Sequence, residues 1–188
     1  MNKAKAQDRA SSGLIARPTS SEGLRARGIF LCECYDENGN IKWIEEAPNL
    51  VVNVGLQYMA GTSLDGATAR ITSWFVGLKG AGTPAAGDTL ASHGTWSELA
   101  GGTAYTGTRP AATFAAATTA DPSVVTNSAS KASFAIIATN TVAGAFLCSV
   151  ASGTSGTLFS ASDFTGGSRS VVNGDTLQVT YTFSLDAP

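Results

Sequence analysis

Thr176–Ser184 alternates without a break. Leu177, Val179, Tyr181 and Phe183 share one parity, and Gln178, Thr180, Thr182 and Ser184 share the other. Successive side chains of a strand point to opposite faces, so this stretch predicts a strand with one face in a core and the other wet. A half-buried strand needs partners and a second layer to cover it. Composition agrees that the layer is made of strands. Ala, Thr, Gly and Ser make up 93 of 188 residues, while charged residues are 14%. Long amphipathic helices need Leu, Glu, Lys and Arg, so a helical bundle is excluded. Scattered Thr, Val, Phe and Tyr among small residues suit a sandwich. The length suits one domain, or one domain plus an arm, and can bury a core without disulfide or metal staples. Hydrophobic residues at 43% and a net charge of -2 argue against disorder for most of the chain.

Ile29–Cys34 reads as a strand. Asp36-Glu37-Asn38-Gly39-Asn40 is the turn of a hairpin that returns through Ile41–Glu45, because Asn-Gly accepts the positive φ of hairpin turns. Asn49–Ala60 is the one predicted helix, capped by Asn49 or Asn53, with Leu56 and Met59 or Ala60 facing inward. Strands follow at Ile71–Leu78, Trp96–Leu99, Arg109–Phe114, Lys131–Ile137, Val142–Val150, Leu158–Ser160 and Val171–Asn173. Gly80–Gly87 is a loop, and Asn173-Gly174-Asp175 turns into the last strand. Many short strands at irregular spacing predict an all-β jelly-roll or Greek-key β-sandwich with one short helix. Gly-Asp-Thr-Leu occurs at Gly87–Leu90 and at Gly174–Leu177, but two copies do not make a repeat protein.

Residues 1–28 differ from the rest. Lys3, Lys5, Arg9, Arg17, Arg25 and Arg27 stand against Asp8 and Glu22, a net of +4, whereas the remainder carries a net of -6. The only large hydrophobics there are Leu14, Ile15 and Leu24, too few for a core. The segment is either a frayed terminus or an extended N-terminal arm, its six cations contacting an acidic partner surface, ahead of a sandwich body at 29–188. Fully extended, it would span about 95 Å. It lacks the apolar region of a secretory signal, and no apolar run nears the roughly 20 residues of a membrane span. The expectation is synthesis in a cytoplasm.

Little in the sequence points to chemistry. Cys32 and Cys34 share a strand face and, with Cys148, read as buried free thiols; zinc would need more partners than the single histidine, His93. Asp88, His93 and Ser97 lie close together, but no Gly-x-Ser-x-Gly elbow or oxyanion-hole signal accompanies them. Glu45 and Glu46 take opposite strand faces and cannot converge as a glycosidase pair; nothing singles out Glu98 with Asp88. Phosphate-cradling glycine patterns are missing, and Asp163 is a loop acid without a calcium ladder. A nucleic-acid role would rest on the arm alone, because the body is acidic. The expectation is no enzyme activity, no cofactor and no metal. Trp43 and Trp74 fit core positions, whereas Trp96 is expected at the surface, where it and His93 are candidate loop contacts.

Short motifs then follow one another in a distinctive order. Phe30, Tyr35-Asp36, Gly39-Asn40, Lys42-Trp43 and Asn49-Leu50-Val51-Val52-Asn53 precede Gly55-Leu56. Trp74-Phe75-Val76-Gly77-Leu78, Thr83-Pro84-Ala85-Ala86-Gly87-Asp88-Thr89, His93 with Trp96 and Glu98, and Arg109-Pro110 come next. Val142–Leu147, Gly174–Leu177 and Thr180-Tyr181 complete the series. Over residues 28–184 this order resembles a family of tailed-bacteriophage virion structural proteins. The resemblance implies a virion component; with the readings above, the expectation is one made in the host cytoplasm, with no nucleic-acid or membrane partner. The expected role is a capsid cement, or decoration, protein that binds the outside of the head and stabilises the shell. Its partners would be the major capsid protein and further copies of itself, as dimer or trimer. A long basic arm suits that role, and fibre heptads or repeated β-motifs are missing. A tail or fibre component that touches the host stands as an alternative, on the large Gly/Ala/Thr loops. So does a carbohydrate-binding sandwich whose exposed tryptophan, Trp96 above all, stacks on sugar.

Overall fold

Two five-stranded antiparallel sheets make an all-β sandwich in the computed structural model, which describes residues 23–187. In chain order the elements are β1 (Arg25–Tyr35), β2 (Ile41–Pro48), β3 (Leu50–Val51), α1 (Asn53–Ala60), a π-helical turn (Gly61–Asp65), β4 (Phe75–Gly82) and β5 (Trp96–Leu99). Then come β6 (Ser123–Thr126), β7 (Ala132–Ala135), β8 (Asn140–Val142), β9 (Gly144–Cys148), β10 (Leu158–Ala161), β11 (Arg169–Val171) and β12 (Thr176–Asp186). The first sheet has the order β2-β1-β12-β6, with β7 also pairing β12. The second has the order β3-β10-β9-β4-β5, and β11 and β8 form a small ribbon. The first and last long strands pair from Arg25↔Asp186 to Tyr35↔Thr176, a long-range closure of the sheet.

The β1–β2 hairpin follows from its turn residues. Gly39 takes φ 81°, and the Asp36 carboxylate accepts the N–H groups of Asn38 and Asn40 at 2.9 and 2.8 Å. The Asn40 side-chain amide, then its N–H, hold the Asp36 carboxyl below the usual range. Between the sheets lie Phe30, Cys32 and Cys34 of β1 and Leu177, Val179 and Tyr181 of β12, against Val76, Leu78 and Leu147. A second core lies across the second sheet: Val52, Leu90, Trp96, Phe146, Cys148 and Leu158. In β9, Ala145 and Leu147 enter the first core while Phe146 and Cys148 enter the second. A strand covered on both faces reads as a continuous apolar run, as this one does.

Several boundaries differ from the sequence reading, each for a local reason. β1 begins at Arg25, so the last four residues of the expected arm belong to the sheet. Arg25 and Arg27 lie on its exposed face, where a basic residue is as acceptable in a strand as in an arm. Gly28 faces inward, and a Cβ there would collide with the Tyr181 hydroxyl and the Asn49 amide. The helix starts at Asn53, because Leu50 and Val51 pair with β10; neither predicted asparagine caps it. Asn49 instead donates to the Tyr181 hydroxyl at 2.7 Å. Leu56 and Ala60 are exposed and Met59 is half-buried. The helix is inward at Gly55, where it runs so close to the Phe159 carbonyl that no side chain fits. The β4 strand starts at Phe75 and runs on to Gly82, and Val142–Val150 divides at Ala143.

Arg109–Phe114 is no strand but the start of a strap between the sheets. Val76 donates to the Pro110 carbonyl and Ala112 to the Trp74 carbonyl, at 3.0 and 2.8 Å. Ala115 and Thr118 then donate to Thr126 and Val124 of β6, both at 3.0 Å. The wet face expected of β12 is also partly covered, with Thr180 6% exposed.

Candidate functional site: an aromatic cleft beside the N-terminal strand

The residues singled out around His93 come together as packing. Trp96 is 5% exposed, which overturns its expected place at the surface. It opens β5 on the face that fills the second core, 5.2 Å from the Phe146 ring. Its indole N–H donates to Asp88 Oδ2 at 2.8 Å, and the half-buried His93 ring stacks on it at 4.0 Å. The indole therefore occupies both His93 and Asp88, while Ser97 is turned to the exposed side. Glu98 takes Arg109 in a two-pronged pair at 2.7 and 2.6 Å, so Asp88 and Glu98 serve different partners. Burial, the largest single influence, would lower the Arg109 pKa; the hydrogen bond to Glu98, together with the charges of Cys148, Glu98 and Tyr105, outweighs it and raises it. Glu45 is buried against Arg169 and Glu46 is exposed, on opposite faces. Asp163 meets Lys79 at 2.5 Å. Trp43 is half-buried and donates to the Ser170 carbonyl at 3.1 Å.

The two Gly-Asp-Thr-Leu copies build one kind of turn. Asp88 donates its N–H to the Ala85 carbonyl at 3.0 Å and accepts the Ala85 N–H on its carboxylate at 2.8 Å. Asp175 does the same with Val172, at 3.1 and 2.8 Å. Each carboxylate then pins a distant side chain, Trp96 in one case and Lys42, at 2.6 Å, in the other. Each turn delivers a buried leucine, Leu90 or Leu177. Cys34 lies 3.8 Å from Asp175, and burial first, then that carboxylate, push its thiol up to about 11. Cys32 and Cys148 are likewise free, buried and raised chiefly by burial.

A cleft of about 670 Å³ opens at the end of the sandwich where β1 begins. Its lips are the strap, Ala111–Ala117, and the segment Arg70–Phe75. Val125, Tyr181 and Phe183 form the wall from the first sheet, and Leu147 and Phe159 the wall from the second. Aromatic edges line it in sequence: Tyr58 to Trp74, Trp74 to Phe159 and Phe159 to Phe183, each at 5.4 Å. Phe114 adds a further edge, 6.2 Å from Tyr181. The volume is in the range of ligand sites, and the aromatic walls are joined by polar groups at the lips, from Arg70, Thr72, Ser73 and Thr113. Arg70, exposed on one lip, has no carboxylate partner among the described residues. The sequence signal for the cleft was Ala111-Ala112-Thr113-Phe114-Ala115-Ala116-Ala117, a run whose small side chains leave space between the sheets. Read as part of a strand, it did not suggest a cavity.

Of the arm cations, Lys3, Lys5, Arg9 and Arg17 lie outside the described residues. Arg27 approaches Asp186 at 3.9 Å, and the other carboxylate oxygen of Asp186 is buried with no hydrogen-bond partner among the described residues. Among those residues no three His, Cys, Asp or Glu side chains cluster as metal ligands would. Compared with known proteins, the chain matches no protein-family model, no curated protein and no solved structure.

Proposed function

We propose that the protein is a structural component of a tailed-bacteriophage virion, a capsid cement that binds the outside of the head through its arm and its surfaces. The observation that carries this reading is a division of charge. Within the body, Arg27, Lys42, Lys79, Arg109, Lys131 and Arg169 each reach a carboxylate. Glu37, Glu46, Asp65 and Asp121 form no salt bridge among the described residues. Six of the body's eight described cations thus serve its own fold, Arg25 and Arg70 being the two that reach no carboxylate among the described residues, while Lys3, Lys5, Arg9 and Arg17 lie ahead of β1. Such a division suits an arm that engages an acidic patch on a shell subunit.

The order of motifs along residues 28–184 supports the virion assignment. The outer face of the first sheet supports a packing role, since Ile29 and Ile44 are 40% and 51% exposed there beside threonines of β12. The major capsid protein and further copies of this chain are the proposed partners. The carbohydrate-binding alternative loses its main support, because Trp96 is core. The test removes residues 1–22, since β1 starts at Arg25, and measures sedimentation with capsids that lack the protein. The truncated body is expected to fold as before and to bind much more weakly. Equal binding would contradict the arm's part in assembly.

A further inference from the structure

We propose that the aromatic cleft is the seat of the chain's own arm, filled by Leu14 and Ile15. Four observations converge on this occupant. The first is position. Gly28, Phe183 and Val125 lie in one row across the first sheet, and Phe183 and Val125 are cleft wall. Arg25 is three residues beyond Gly28, so the arm leaves the body about 10 Å from that wall.

The second is length. Seven residues lie between Ile15 and Gly23, and the eight steps from one to the other reach about 27 Å when extended. That is enough to turn back once and enter the cleft. The third is chemistry. Leu14-Ile15 is the one pair of large apolar residues in residues 1–22, and the cleft offers half-buried aromatic edges. On the strap lip, the N–H groups of Thr113 and Phe114 have no partner among the described residues, and either one, though not both at once, can donate to an extended backbone. The fourth is charge. Asp121 and the under-partnered Asp186 lie at this end, matching Arg17 two residues after Ile15. Arg70 on the other lip repels the arm's cations, so the apolar pair, rather than a lysine or arginine, fills the space.

Docking of this kind fixes the middle of the arm and leaves Lys3, Lys5 and Arg9 to reach a partner. It goes beyond the assembly reading and does not depend on it, because it concerns the isolated protein. The test uses the full chain. A photo-crosslinking benzoylphenylalanine at position 14 is expected to join the 111–117 strap or Trp74 of the same chain. The double variant Leu14→Asp/Ile15→Asp is expected to bind an apolar-surface dye several-fold more strongly than the parent, with an unchanged circular dichroism spectrum. Cross-links between chains would overturn the proposal in favour of a second copy's arm. Cross-links elsewhere on the body, or equal dye binding by parent and variant, would overturn it outright.

Discussion

The Lys79 ammonium and the Asp163 carboxylate meet at 2.5 Å, yet the lysine side chain is wholly buried while that of the aspartate is 38% exposed. Lys79 also donates to the carbonyls of Gly80, at 3.0 Å, and Gly82. Three acceptors satisfy an ammonium in a place where it cannot be hydrated. The pair is therefore unequal. Asp163→Asn leaves a buried charge without its counter-ion and should cost about 3–5 kcal/mol. Lys79→Met leaves a carboxylate that water can reach, and should cost far less or nothing. Urea unfolding of the two variants reads the order directly; a greater loss in Lys79→Met would contradict it.

Stability should fall on the alkaline side. Burial raises Cys34 from 9.0 to about 11 and Tyr105 from 10.0 to about 12, and also raises Cys32 and Tyr181. Above pH 9 for the cysteines and pH 10 for the tyrosines, these groups ionise in the unfolded chain while the folded chain keeps their protons. The folded state then binds more protons, so stability drops as pH rises, by up to about 1.4 kcal/mol per pH unit for each group. The contribution is complete below pH 9 and is lost through the window up to the folded values. Thermal melts from pH 7 to 11 measure this, and a flat profile above pH 9 would contradict it.

The three thiols should be silent in the native protein. Cys32, Cys34 and Cys148 are buried and unbridged, and the thiolate is the reactive form. A thiol-reactive chromophore is expected to find almost nothing at pH 8 and three equivalents after denaturation. Rapid native reaction would mean that the second core or the β1 face opens readily.

Gly28→Ala tests the junction of β1, β12 and Asn49. The added methyl meets the Tyr181 hydroxyl and the Asn49 amide, and should destabilise by about 1–3 kcal/mol. Asn49→Ala in the same chain removes one of the two clashes. The double variant should therefore lose less than the sum of the single variants, as unfolding midpoints would show.

The sequence made the strand pattern legible wherever one face is buried and the other wet. β12, β7 and the Asn-Gly hairpin carry period-two alternation or a turn that tolerates few other residues. It was less informative where close approach, rather than hydrophobicity, sets the contact. Gly55 faces the core of α1 while Leu56 faces water, a reversal invisible to apolar periodicity. A tryptophan beside Gly94 and His93 reads as exposed, whereas Asp88, eight residues earlier, holds the Trp96 indole inside. The cleft depends on how far two sheets separate, which no local pattern records. The start of β1 at Arg25 was hidden because an exposed strand face accepts arginine as readily as an arm does.

The central claim is assembly on a phage head, and copy number in purified virions tests it most directly. Quantitative gel densitometry against the major shell protein, with a low-resolution map, gives both number and position. The account predicts hundreds of copies spread over the outside of the head. About a dozen copies or fewer, gathered at one vertex or on the tail, would contradict it.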